Sequence, residues 1–207
     1  VREIVINTAW LGEQIESHIG RKRLSDRCEQ LSNEEQSTIR FSSEGRDFGY
    51  ALETAGGIAR ALPLLAPHEG SVFWVMAGDI FAPGFAVTAA AAQRFAASGK
   101  LAHLWLVPNP AHNPAGDFGL APDGLALNDA PAGGVRHTFS TIALYRRALF
   151  EPPWCDILPG NPQGSAVPLA PLLRRAVAAG RVSAELYAGQ WVDVGTPERL
   201  AALNARA

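Results

Sequence analysis

Two aspartates stand where strands give out. Asp79 follows the apolar run Ser71–Met76 (SVFWVM) by way of Ala77-Gly78, and Asp193 lies near the end of Gln190–Val194, just before Gly195. In open α/β sheets, ligands bind beyond the carboxyl ends of the strands. An aspartate in either place could instead cap the next element or close a turn. At Asp193 that local task is already filled, because Thr196 suits the N-cap and Pro197 the first helical position. Two strand-end carboxylates, far apart in sequence, can converge on one hard cation. Magnesium is held in this way, by carboxylates, water and phosphate oxygens. Such an ion neutralises phosphate charge during transfer.

Other stretches carry weaker signals. Leu52–Gly57 (LETAGG) opens a helix, and its glycines let a ligand approach helix N–H groups; a tight turn explains them equally well. The turn-rich stretch His112–Gly119 (HNPAGDFG) is a plain loop or a sugar-facing one in which Asp117 accepts from hydroxyls. Thr138, Ser140 and Thr141 put small polar groups on a strand, where a half-exposed face is the plainer reading. The five histidines are scattered and read as surface or packing residues. There is no H-E-x-x-H, cysteine cluster or G-x-S-x-G, which argues against zinc and nucleophile-elbow hydrolase chemistry.

These residues need a scaffold, and the pattern supplies one. Strand-like and helix-like stretches alternate. Glu3–Asn7, Thr38–Ser42, Ser71–Met76 and Leu101–Val107 read as strands; helical faces run through Leu11, Ile15 and Ile19 (with Gly20 as the C′ residue), through Ile58, Leu62 and Leu65, and over Val87–Ser98. That order predicts a parallel, doubly wound α/β sheet. Pro122-Asp123-Gly124 inside Phe118–Leu127 predicts a hairpin, so antiparallel strands should lie beside the sheet. Phe139–Tyr145, the helical stripe Leu169–Val177 closed by Gly180, the strands Val182–Tyr187 and Gln190–Val194, and a last helix from Pro197 complete the chain. Arg21–Gln36 is highly charged and weakly periodic, and reads as a surface insertion.

Composition narrows the partners. The chain has 207 residues, 47% hydrophobic and 18% charged, with a formal net charge of -2. It carries no basic footprint for nucleic acid and no apolar run of membrane-spanning length. The first residues, VREIVIN, lack the layout of a signal peptide. Cys28 and Cys155 lie far apart and read as reduced thiols, so the expected location is cytoplasmic.

Taken in order, these stretches resemble the sugar-1-phosphate nucleotidyltransferases, most of all the bacterial N-acetylmuramate-1-phosphate uridylyltransferase branch, whose relatives often carry the label mannose-1-phosphate guanylyltransferase. The matching stretches are Glu3–Glu16, Ser42–Leu65, AGDI at Ala77–Ile80, Leu106–Leu120, Thr138–Tyr145, Pro168–Ala176 and WVDVGTPERL at Trp191–Leu200. The resemblance implies a Rossmann-like mixed sheet of the nucleotide-diphospho-sugar transferase type, related to the GT-A fold. It implies that Asp79 and Asp193 are catalytic and hold Mg2+. Glu53, Thr54, Ala55, Gly56 and Gly57, with Gly78, would contact the nucleotide. Gly116, Asp117, Thr138 and Ser140 would face the sugar. The implied reaction is attack by a sugar-1-phosphate oxygen on the α-phosphate of a nucleoside triphosphate, with pyrophosphate leaving, in cell-wall sugar recycling.

The match also has departures. The family begins with a strand, a glycine-rich loop bearing an arginine, and a Pro-Lys-Pro segment, none of which is present here. The expectation is therefore a single nucleotidyltransferase domain over 1–207 lacking the first βα unit, most simply as a piece of a longer protein; a polypeptide that began at Val1 would have weak or no catalysis and an exposed apolar sheet edge. Ala77 stands where relatives often carry asparagine, Ala55 replaces a frequent glycine, and Thr8 a frequent histidine. UTP and N-acetylmuramate-1-phosphate are the expected substrates. Guanylyl transfer to mannose-1-phosphate and a non-catalytic sugar-nucleotide-binding subunit are the alternatives. A metal-dependent glycosyltransferase fits less well, since Asp79-Ile80-Phe81 is not a D-x-D.

Overall fold

The computed structural model describes residues 3–28 and 38–205. Positions 29–36 of the charged stretch lie outside the described residues. The chain forms two compact units, Val1–Glu69 with Phe150–Leu172, and Gly70–Leu149 with Leu173–Ala207.

In the first unit, β1 (Glu3–Thr8) and β2 (Thr38–Ser43) pair in parallel, with Glu3 opposite Thr38 and Thr8 opposite Ser43. Between them runs α1 (Gly12–Cys28). It continues through Gly20, where the sequence predicted an end, and a glycine inside a helix costs only about 1 kcal/mol relative to alanine. Ile4, Trp10 and Leu11 are exposed apolar side chains here. After a short α2 (Glu44–Phe48), α3 (Glu53–Leu65) buries Ala55, Ile58, Ala59 and Leu62 along one face.

The second unit holds a six-stranded mixed sheet. Its strands are β3 (Val72–Met76), β5 (Ala102–Val107), β6 (Phe118–Leu120), β7 (Ala126–Leu127), β8 (Arg136–Arg146) and β9 (Val182–Leu186). Between β3 and β5 come the two-residue β4 (Ile80–Phe81) and α4 (Ala89–Ala97). The parallel expectation holds for β5 with β9, whereas β8 runs antiparallel to β3, β5 and β6. The hairpin read from Pro122-Asp123-Gly124 is β6–β7, with Gly124 at φ +81°. Trp74 stacks on Trp105 at 4.8 Å between ring centroids, and Phe85 meets both edge-on. These rings lie against the buried residues Phe95, Ile142 and Leu144.

One irregularity shapes the site. Between Leu104 and Leu106 the β5–β8 ladder shifts register, so that Trp105 alone spans Ser140–Ile142. Thr141 takes φ +62° at this bulge, in a region a β-branched residue seldom enters. The chain ends with α5 (Leu169–Ala178), β9, β10 (Val192–Asp193) and α6 (Pro197–Asn204). No described helix is long and apolar enough to cross a membrane.

Candidate active site

The two aspartates come together through a two-stranded ladder. β10 pairs antiparallel with β4, setting Asp193 opposite Ile80, and the Val194 N–H donates to the Asp79 carbonyl at 2.8 Å. Thr196 accepts from Arg199 N–H and caps α6, so the helix start needs nothing from Asp193. A methyl built on Gly195 would sit 2.7 Å from Asp79 Oδ2 and 3.0 Å from Asp193 Oδ1. Both carboxylates, with the Arg199 guanidinium 3.3 Å from the same point, therefore border one small space that glycine keeps open. Asp193 is held firmly: Oδ1 accepts from Gly195 N–H at 2.8 Å and lies 3.1 Å from the Arg199 guanidinium, and Oδ2 is 3.3 Å from His112 Nε2.

A cavity of about 260 Å³ opens beside them. Asp79 and Asp193 line it with His112; Ile80, Phe139 and Trp191 give it apolar surface; and Asn113, Asp117, Thr138 and Thr141 complete the lining. Asp117 Oδ2 accepts from Phe139 N–H at 2.8 Å and from Asn113 Nδ2 at 3.1 Å. Trp191 donates its indole N–H to the Ser140 carbonyl at 3.0 Å, which ties the segment leading into β10 to the bulge of β8.

Of the four residues expected to face a sugar, Asp117 and Thr138 line the cavity, while Gly116 and Ser140 do not. Gly116 is buried at φ +63°, and a Cβ there would lie 2.7 Å from the Arg136 backbone, so close approach to β8 explains the glycine. Ser140 is fully buried; its hydroxyl donates to Trp105 O at 2.6 Å and accepts from Ile142 N–H at 3.2 Å. The bulge is the reason, since it brings Thr141 to the cavity in its place. His112, Asn113, Thr141 and Trp191 were not among the expected site residues. His112 is exposed, as expected of a surface residue, and its imidazole also lies beside Asp193.

The segment expected to meet a nucleotide belongs mainly to the first unit. Ala55, Gly56 and Gly57 are buried at the start of α3. The expected open N–H groups are taken at two positions, because Val167 O accepts from Ala55 N–H at 2.9 Å and from Gly56 N–H at 3.1 Å. A Cβ on Gly56 would collide with Ser165 O, and one on Gly57 would lie 2.5 Å from Glu44 Oε1. Glu53 and Thr54 are exposed, and Glu53 holds φ +57°, a strained backbone for a non-glycine residue. Gly78, in the second unit, is exposed, and a Cβ there would meet nothing within 4 Å.

The chain is 39% identical over 210 residues to the N-acetylmuramate alpha-1-phosphate uridylyltransferase of Neisseria meningitidis serogroup B, a match spanning 99% of this chain and 78% of that protein. The chain belongs to the sugar-1-phosphate nucleotidyltransferase family. No protein-family model matches it. Among solved structures, HddC from Yersinia pseudotuberculosis is similar, with a TM-score of 0.64 and 14% identity over 100% of this chain and 79% of that one. A putative glucose-1-phosphate thymidylyltransferase from Bacillus anthracis, in complex with a sucrose, gives 0.65 and 16% over 99% and 75%. At these identities the likeness shows the fold, which is that of the nucleotide-diphospho-sugar transferases.

The donor set fits a divalent cation shared with substrate. Among the described residues no three His, Cys, Asp or Glu side chains gather into a protein-only cage. Asp79 and Asp193 supply hard carboxylate oxygens around the gap at Gly195. Magnesium commonly takes one or two carboxylates and completes its shell with water and substrate phosphates.

Proposed function

We propose that this protein transfers a uridylyl group from UTP to N-acetylmuramate-1-phosphate and releases pyrophosphate, with Mg2+ held by Asp79 and Asp193, in the salvage of cell-wall sugars. The observation that carries the reading is the convergence of the two carboxylates on Gly195 in the lining of one cavity. The kinship with a uridylyltransferase of N-acetylmuramate-1-phosphate supports the choice of substrates.

The chemistry follows from the groups present. A sugar phosphate oxygen is already anionic, so it attacks the α-phosphorus without a general base. The new P–O bond forms as the bond to the β-phosphate oxygen breaks, and the electron pair leaves with pyrophosphate. Positioning and charge neutralisation then supply most of the rate. A divalent cation bound between the aspartates would offset the phosphate charge. Gly195 N–H and Arg199 fix Asp193, and the Trp191 bond to Ser140 O fixes the strand that carries it. Asp117 and Thr138 meet the sugar, Ile80, Phe139 and Trp191 pack on its apolar faces, and Gly78 beside Asp79 contacts the nucleotide.

The test is pyrophosphate release with Mg2+ from UTP or GTP, each offered with N-acetylmuramate-, N-acetylglucosamine-, mannose- and glucose-1-phosphate. Release with UTP and N-acetylmuramate-1-phosphate is expected to exceed every other pair. Release with GTP and mannose-1-phosphate alone would overturn the substrate assignment, and no release from folded protein would overturn the activity.

A further inference from the structure

We infer that Asn113 is the specificity-determining residue for a hydrogen-bond donor on the sugar, and that it selects 2-acetamido sugar 1-phosphates over their 2-hydroxy counterparts. The inference rests on the reading of the cavity as a sugar-1-phosphate site. It follows from the direction of a hydrogen-bond chain that the backbone fixes at one end. Asn109 Nδ2 donates to two backbone carbonyls, those of Pro114 at 3.1 Å and Arg136 at 3.0 Å. Carbonyls only accept, so the amide orientation of Asn109 is set and its Oδ1 must accept. It does so from the Thr138 hydroxyl at 3.0 Å. Thr138 has one proton and has given it to Asn109, so towards Asn113 it can only accept. Asn113 Nδ2 donates to it at 3.2 Å. The second bond of Asn113 Nδ2, to Asp117 Oδ2 at 3.1 Å, agrees, since a carboxylate is acceptor-only. Turning the Asn113 amide over would set its oxygen against that carboxylate and against a committed hydroxyl.

The consequence is an acceptor of fixed polarity in the cavity lining. Asn113 Oδ1 makes no hydrogen bond to the described residues, and Asn113 lines the cavity. Thr138 is 5% exposed, so its hydroxyl, the link between Asn109 and Asn113, is shielded from competing water. An amide N–H on the substrate can only donate, and one covered by the cavity wall without an acceptor loses its hydrogen bond. A hydroxyl can rotate and either donate or accept, so it depends less on this one acceptor. The difference lies in the substrate group, because without this acceptor the donor-only amide is left unpaired while a hydroxyl turns to another partner.

The experiment measures kcat/KM for a 2-acetamido hexose 1-phosphate and for the matching 2-hydroxy hexose 1-phosphate, with Mg2+ and saturating UTP. It compares wild type, Asn113→Ala and Thr138→Val, the last of which removes one of the two acceptors that orient the Asn113 amide. Asn113→Ala is expected to lower the acetamido-to-hydroxy ratio about tenfold, the cost of leaving one donor unpaired, mostly through KM for the sugar. KM for UTP should stay unchanged. Thr138→Val should move the ratio in the same direction by less. Turnover with an unchanged ratio in both variants would overturn the role of Asn113 alone. Absence of turnover of any sugar by wild type would overturn this inference together with the proposed function.

Discussion

Glycines are used in two ways in this molecule, and the contrast separates packing from chemistry. In the first unit, Gly56 and Gly57 lie at the start of α3 against Ser165 O and against Glu44 and Asn7. The missing side chain is filled by the protein itself. In the second unit, Gly195 faces two carboxylates, and Gly78 beside Asp79 faces nothing within 4 Å. At Gly195 the missing side chain leaves room between two carboxylates and the Arg199 guanidinium, which lies 3.3 Å from the position a Cβ would take. Gly56 and Gly57 are explained by close packing within the fold, whereas Gly195 keeps space beside the charged groups of the cavity.

The largest expected effect breaks the second half of that contrast. Asp79→Asn or Asp193→Asn should cut turnover by about a thousandfold or more through lost metal positioning, with the melting temperature little changed. Steady-state assays with Mg2+ check this, and near-normal turnover in both variants would contradict it. Gly195→Ala comes next. Its methyl would lie 2.7 Å from Asp79 Oδ2, so the carboxylates must part, and turnover should fall about a hundredfold, as for small misplacements elsewhere. Thermal unfolding of the same variant should stay close to wild type. Gly57→Ala should do the reverse. Its methyl would press on Glu44 Oε1 and Asn7 Nδ2, which makes the fold less stable by about 1–3 kcal/mol, measurable by urea denaturation. Gly78→Ala is the matched control, expected to stay within about 0.5 kcal/mol of wild type.

The smallest effect concerns His103, in the second unit but away from the cavity lining. Its Nδ1 pairs with Ser183 Oγ at 2.9 Å. Burial pushes its imidazole below the usual 6.5; Glu185 pulls it back up, and Arg94 adds to the lowering. The native state therefore binds fewer protons than the unfolded chain just below that value. Stability is present above about pH 6.5 and is lost as the pH falls towards the native-state value. Urea midpoints taken between pH 7.5 and 5.5 should decline, and His103→Gln should flatten that slope. An unchanged slope would remove His103 from the account.

How much was legible in the sequence depends on whether the signal was local. Strand, turn and cap chemistry is local, so SVFWVM, the Pro122-Asp123-Gly124 hairpin and the Thr196-Pro197 helix start match β3, β6–β7 and α6 closely. The Thr196 cap also singled out Asp193 as a carboxylate without a local task. What the sequence hid was register. Alternation in TFSTIALY puts Thr138 and Ser140 on one face, but the bulge buries Ser140 and brings Thr141 to the cavity. His112 and Trp191 reach the site through contacts over long sequence separations, which no spacing rule encodes. Gly20 looked like a helix end because glycine often is one, yet α1 continues past it.

The most direct test of the central claim is Mn2+ binding followed by electron paramagnetic resonance, with UDP-N-acetylmuramate present to supply the phosphate oxygens. Two carboxylates sharing one cation predict a bound Mn2+ signal in wild type that is lost in Asp79→Asn and in Asp193→Asn. Full Mn2+ binding in both variants would contradict a site built on these two residues.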